Sequence, residues 1–200
     1  MLDVDGVLVN GRPRDGKPLF TDLERDLGVP VDRLQAEFFE THWEAIVVGR
    51  EDLALSLKAV LARIAPHASV EALITYWLAN DARIDTHLLA DVDALRAGGV
   101  TVLLATNQEH LRARFLMEDL GLGAHVDGIV YSAALGHRKP EPEFYRLATQ
   151  RAGVSPGEIV LIDDNSGNVG AARAAGWQAA VWTGQQRLAE VLAGLTGAGR

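Results

Sequence analysis

Cysteine is absent from the 200-residue chain, which excludes disulfides, thiolate metal sites and cysteine nucleophiles. Basic residues are in the minority. The 19 Lys and Arg stand against 27 Asp and Glu, a net charge of -8. That balance argues against a nucleic-acid groove or an anionic membrane surface as partner. No apolar run reaches membrane-spanning length, and the N-terminus lacks the basic, apolar and small-residue order of a signal peptide. A cytoplasmic protein is therefore expected. No internal repeat or low-complexity tract is present. What remains is 48% apolar and 23% charged, a composition able to bury a core. The length suits one domain, or one domain with an insertion. Oligomeric state is not legible in these features.

The chain is organised around its first residues, Asp3-Val4-Asp5-Gly6-Val7-Leu8-Val9. Residues i and i+2 of a strand point to one face, so at a strand's end Asp3 and Asp5 can converge. Converging carboxylates repel unless a shared proton or a cation holds them. Gly6 lets the backbone turn and approach a ligand closely.

Residues 10–20, with two glycines, two prolines and mixed charge, read as a mobile surface loop. Gly11 to Lys17 matches most of a phosphate-binding G-x-x-x-x-G-K loop, but Pro18 stands where Ser or Thr is required. From residue 21 to about 80 the periodicity is helical. Thr21-Asp22-Leu23-Glu24 looks like a capping box, and Gly28-Val29-Pro30 and Gly49 interrupt the helices. Glu51-Asp52 starts the next helix, which ends near Pro66, and Ser69 caps the one after it. Helix and strand then alternate. Helices are predicted over 86–98, about 108–120 and 142–152, with another before Gly176. Strands are predicted over 100–105, 128–131, 158–162 and 178–182. This alternation predicts an α/β fold, a doubly wound parallel sheet with a small helical bundle inserted after the first strand. The assigned regions are 1–9 and 86–200 for the α/β core and 10–85 for the helical insertion. The glycine-rich stretch 193–200 reads as a loose terminus.

In such a sheet, ligands bind at the carboxyl ends of the strands. The residues just past those ends are Asp3 and Asp5, Thr106 and Asn107, Arg138 and Lys139, and Asp163, Asp164, Asn165 and Asn168. Taken singly, Lys139 reads as a solvated lysine, and Thr106 and Asp163 as helix caps. Their joint placement assigns them to a site. Clustered carboxylates need a hard cation with oxygen ligands, for which Mg2+ is the usual choice. A hydroxyl, an amide and an ammonium suit a phosphate group. Together these are the parts for phosphoryl transfer through an aspartyl-phosphate.

These motifs, in this order, resemble those of the haloacid dehalogenase superfamily of phosphotransferases over nearly the whole chain. The resemblance implies that the insertion is an α-helical cap on a Rossmann-like core. It further implies that Asp3 is the nucleophile and a metal ligand. Asp5 would be the general acid and base, its carbonyl also binding metal. Thr106 and the Asn107 backbone would bind phosphate, and Lys139 would neutralise Asp3 and the phosphoryl oxygens. Asp164 would ligate the metal directly, supported by Asp163 and Asn168. Arg50, beside Gly49, resembles a cap position that reaches into the active site. Phe38, Phe39 and Trp43 read as cap core, and His42 and His110 as surface residues. Dehalogenating members lack an equivalent of Asp5, so its presence favours phosphate ester hydrolysis.

The expected function is thus a Mg2+-dependent phosphatase acting on a small phosphorylated metabolite, a sugar phosphate being one candidate. Two alternatives remain: a non-catalytic member that binds a phosphorylated ligand or partner, and a sugar-phosphate mutase. Only Met1 and Leu2 precede Asp3, which predicts a shortened first strand with unpaired neighbours and a charged amino group near Asp3. A native start upstream is expected, and intact-mass measurement of the native protein tests it.

Overall fold

The computed structural model describes residues 1–197. The sheet is parallel throughout its described pairs. Strand β1 (Leu103–Thr106) pairs with β2 (Gly128–Tyr131), and β3 (Val160–Asp163) with β4 (Gln178–Val181). Leu2 joins the two halves through parallel bridges to Leu104 and Ile162. The spatial order is therefore β2, β1, the Leu2 segment, β3, β4. This is the doubly wound α/β arrangement, with every strand delivering its C-terminal end to one edge.

Helices α1 (Leu23–Leu27), α2 (Val31–Leu34), α3 (Glu40–Ile46), α4 (Leu53–Ile64) and α5 (Val70–Asn80) form the helical cap. They bury Leu23, Leu34, Phe38, Leu57, Leu73 and Trp77 in a cluster of their own. Phe39 and Trp43 pack against it, as expected of cap core. Between α2 and α3 the backbone widens to a π-helical turn over Gln35–Phe39, which carries Phe38 into the interior. Asp52 and Ser69 cap α4 and α5 by accepting from Leu55 N and Ala72 N at 2.8 and 3.0 Å, satisfying amides the helix leaves free.

Around the sheet lie α6 (Thr86–Ala97), α7 (His110–Met117), α8 (Ser132–Leu135), α9 (Pro142–Ala152), α10 (Ser166–Ala174) and α11 (Leu188–Gly197). One apolar cluster gathers Leu2, Leu8, Val92, Leu104, Leu116 and Ile162, and another gathers Phe144, Tyr145, Leu161, Val169 and Trp177.

Several local expectations differ from the structure. Strand β1 begins at Leu103 rather than 100, and β3 at Val160 rather than 158. The Leu2 segment reaches only that far, and Val102 N is instead held by Asp127 Oδ2 at 2.8 Å. Pro156–Glu158 is a 3-10 turn. The capping box at 21–24 does not form. Thr21 Oγ1 donates to Pro18 O at 2.6 Å, and the Asp22 carboxylate is drawn to Arg12 at 2.6 Å. The loop over 10–20 is pinned by that contact, because Arg12 is fully buried and also bonds Asp15. Its candidate phosphate cradle closes on itself: Arg12 N donates to Lys17 O, and Gly16 N to Arg12 O. The short helix α8 has no sequence counterpart above. Of the tail expected to be loose, α11 takes in residues up to Gly197, and 198–200 lie outside the described residues.

At the start of the chain, Leu2 N and O bond Leu103 O and Ala105 N, and Asp3 N bonds Ile162 O. The Met1 amino group donates to Val160 O at 2.7 Å. Burial lowers its pKa to about 5, so it is neutral at pH 7 and not the charged neighbour of Asp3 that was expected.

Candidate active site at the carboxyl edge of the sheet

The β3 strand ends in Asp163, fully buried, and the chain then exposes Asp164. Asp3 leaves the sheet beside them. Carboxylate oxygens of Asp3, Asp163 and Asp164 all lie within 4.8 Å of one another. Lys139, brought in by the loop between α8 and α9, sets its Nζ 2.9 Å from Asp3 Oδ1 and 2.6 Å from Asp163 Oδ2. Lys139 is itself buried, so its charge is set directly against the two carboxylates it bonds.

The three carboxylates occupy different environments. Asp163 has both oxygens engaged: Asn168 Nδ2 donates to them at 3.0 and 3.1 Å, and Asn165 N donates to Oδ1 at 2.9 Å. Asn168 is held in turn by its carbonyl, which accepts from Tyr145 Oη at 2.8 Å. Asp163 therefore braces Lys139 and the start of α10. Asp3 accepts from Val4 N at 2.8 Å. Burial pushes its pKa up to about 6, Lys139 opposes that shift, and the charge of Asp163 adds to it. Asp164 is raised by burial and then by Asp163. Its carboxylate lies over Gly6, where φ is +80° and an added Cβ would sit 2.1 Å from Asp164 Oδ2. Only glycine allows that approach. Three clustered carboxylates, two of them raised first by burial and the third fully hydrogen-bonded, form an all-oxygen donor set that fits Mg2+.

The other expected residues fall around this group. Thr106 ends β1 and is buried. The Asn107 side chain does not reach for a ligand. Its Nδ2 donates to Lys139 O at 2.9 Å and its Oδ1 accepts from Lys139 N at 2.8 Å. It ties the lysine loop to the end of β1. Asp5 is half-exposed, and its two oxygens accept from Arg112 Nη2 at 2.9 Å and Gln108 Nε2 at 2.6 Å. Gln108 Nε2 also lies 3.3 Å from Thr106 Oγ1. Arg138 reaches the cap and pairs with Glu44 at 3.0 Å.

Arg50 is exposed and forms no ion pair with the acidic group among the described residues. Its neighbour Gly49 packs against the core, where a Cβ would meet Ala133 O at 2.7 Å, and Ser132 Oγ donates to Val47 O at 2.5 Å. The cap loop is thus seated on α8. His110 is exposed and lies 3.2 Å from Tyr131 Oη.

Sequence reasoning passed over Arg112 and Gln108. A signal for Arg112 existed: it shares the buried face of α7 with Leu116, four residues on, where a charged residue requires a partner.

Fold and edge chemistry together define a class, a doubly wound α/β scaffold with a carboxylate-lined ligand edge and a helical cap. The chain belongs to the haloacid dehalogenase-like hydrolases, whose family profile matches residues 1–176. It is 28% identical over 187 residues to a phosphoglycolate phosphatase of Rhodospirillum rubrum, covering 88% of this chain and 75% of that one. It is 31% identical over 189 residues to a phosphoglycolate phosphatase of Pseudomonas putida, covering 89% of this chain and 66% of that one. In fold it is similar to a HAD family enzyme of Bacteroides thetaiotaomicron, solved with magnesium and inorganic phosphate. That match has a TM-score of 0.79 at 18% identity and covers 95% and 96% of the two chains.

Proposed function

We propose that this chain is a Mg2+-dependent phosphatase that hydrolyses a small phosphorylated metabolite through an aspartyl-phosphate on Asp3. It is an enzyme of the phosphoric monoester hydrolase class, as its family and its phosphatase relatives indicate. The observation that carries the mechanism is the grouping of Asp3, Asp163 and Asp164 within 4.8 Å, with Lys139 bonded to two of them.

Asp3 attacks phosphorus, and the ester oxygen leaves with a proton from Asp5. Asp5 then takes a proton from the water that attacks the acyl phosphate, restoring Asp3. Such proton transfer contributes about 10²–10⁴-fold in rate. Lys139 lies against the nucleophile and meets the charge that builds on the phosphoryl oxygens. Thr106 Oγ1 and the amide following it are the phosphate donors. Asp3, Asp164 and the Asp5 carbonyl would hold the metal, with Asp163 in support. Bound there, Mg2+ supplies charge neutralisation and orientation of the phosphate. The cap, taken as residues 10–85, closes over this edge, and Arg50 is its proposed substrate contact.

The test is turnover of p-nitrophenyl phosphate with and without Mg2+. Turnover that needs the ion and disappears in Asp3→Asn is the expected result. Hydrolysis that survives Asp3→Asn removes the proposed intermediate. A screen of phosphorylated acids and sugars then identifies the substrate.

A further inference from the structure

Arg112 is buried on α7, yet its contacts all lead to acidic groups at the site's margin. Its Nη2 lies 2.9 Å from Asp5 Oδ1 and 2.8 Å from Asp81 Oδ2, and its Nη1 donates to Asp81 O at 2.9 Å. Its Nε has no partner among the described residues. The fold thus leaves one buried donor unmet while keeping the other end of the guanidinium on two carboxylates. The helix start that carries it is rigidly made, because Glu109 accepts from Leu111 N at 2.6 Å and from Arg112 N. Gln108 takes the other oxygen of Asp5. Both oxygens of a half-exposed aspartate are thereby fixed from the protein side.

We infer that Arg112 is a positioning residue for Asp5. With Gln108, it fixes the carboxylate that the proposed function assigns to proton transfer, and Asp81 anchors it from the cap side. The inference rests on that reading of Asp5. Asp81 gives the guanidinium a second carboxylate and a backbone carbonyl to bond, so its position does not depend on Asp5 alone. Asp81 directly follows α5, where the chain returns from the cap, and the next residues pair with the first loop through Arg83 N to Gly11 O and Asn10 N to Arg83 O. The orientation of Asp5 is therefore built from three places at once: the start of the chain, α7 and the cap's return segment.

The test compares kcat/KM for two substrates in the full chain with Mg2+. Loss of p-nitrophenolate needs little help from an acid, whereas loss of phenolate from phenyl phosphate needs a placed proton. In Arg112→Gln we expect a loss on the order of 100-fold with phenyl phosphate and less than about tenfold with p-nitrophenyl phosphate. Asp5→Asn should show the same asymmetry. The double variant should be no worse than Asp5→Asn alone, as coupled residues require. Arg112→Lys, which keeps the charge but not the fork, should show the asymmetry more weakly and serves where Arg112→Gln does not fold. Equal losses on both substrates, or additive losses in the double variant, would assign Arg112 to the fold alone and overturn the inference while the phosphatase reading stands. A wild-type chain that hydrolyses neither compound overturns that reading and this inference with it.

Discussion

Replacing Lys139 with methionine tests the electrostatics of the site most directly. The two side chains have similar reach, so packing is nearly conserved and the change is the loss of one ammonium. That ammonium is about 1% exposed and sits 2.6 and 2.9 Å from two carboxylates. Breaking a buried ion pair from one side costs about 3–5 kcal/mol. Binding a proton on Asp3 would reduce that loss. Burial already holds Asp3 near 6, and Lys139 is the main group opposing that rise. Without it the carboxyl rises further. A carboxyl with a raised pKa binds more protons folded than unfolded, so its folded state loses stability as pH climbs toward the raised value. The deficit of K139M should therefore grow between pH 5.5 and 8, by at most about 1.4 kcal/mol per pH unit for one proton. Urea unfolding at both pH values, with EDTA present, measures it. Activity toward p-nitrophenyl phosphate should fall by about 10²–10³, the usual cost of removing a group that stabilises developing charge. A variant equally stable at both pH values and active within tenfold of wild type would refute the electrostatic account.

Gly6→Ala should displace the Asp164 carboxylate, which lies 2.1 Å from where the methyl would sit. Its apparent Mg2+ affinity, read from activity titrations, should weaken by about 10–100-fold. Leu57→Ala opens a hole in the fully buried cap cluster and should cost about 2–5 kcal/mol in chemical denaturation. Arg96, then the Val102 amide, hold Asp127 below its ordinary 3.8. Its stabilisation is complete above that value and is lost as pH falls through the lowered one. Asp127→Asn should therefore be less stable than wild type at pH 7 and converge with it in acid unfolding well below pH 3.8.

Much of the chain was legible because local chemistry and tertiary role coincide. Asp52 and Ser69 cap the helices they precede, Pro142 opens α9 and Gly153 closes it. The apolar run before Asp163 is a strand buried among others. Where a side chain had two possible partners, the local pattern misled. Asp22 was read as part of a capping box, but it answers the buried Arg12 ten residues earlier in the chain. For Asn107 the expectation concerned its backbone, and its place after β1 gave no sign that its side chain holds the lysine loop across 32 residues.

By itself, the sequence determined the parallel α/β class, the helical insertion and the membership of the edge residues. These follow from periodicity, breakers and motif order, all readable along the chain. Tertiary structure alone decided how the acidic residues divide their work. Asp163 is spent on Lys139 and Asn168, Asp164 stands open over Gly6, and Asp5 is gripped by Arg112 and Gln108. That division depends on burial and on which donors arrive from distant segments, and neither is encoded in the spacing of the aspartates.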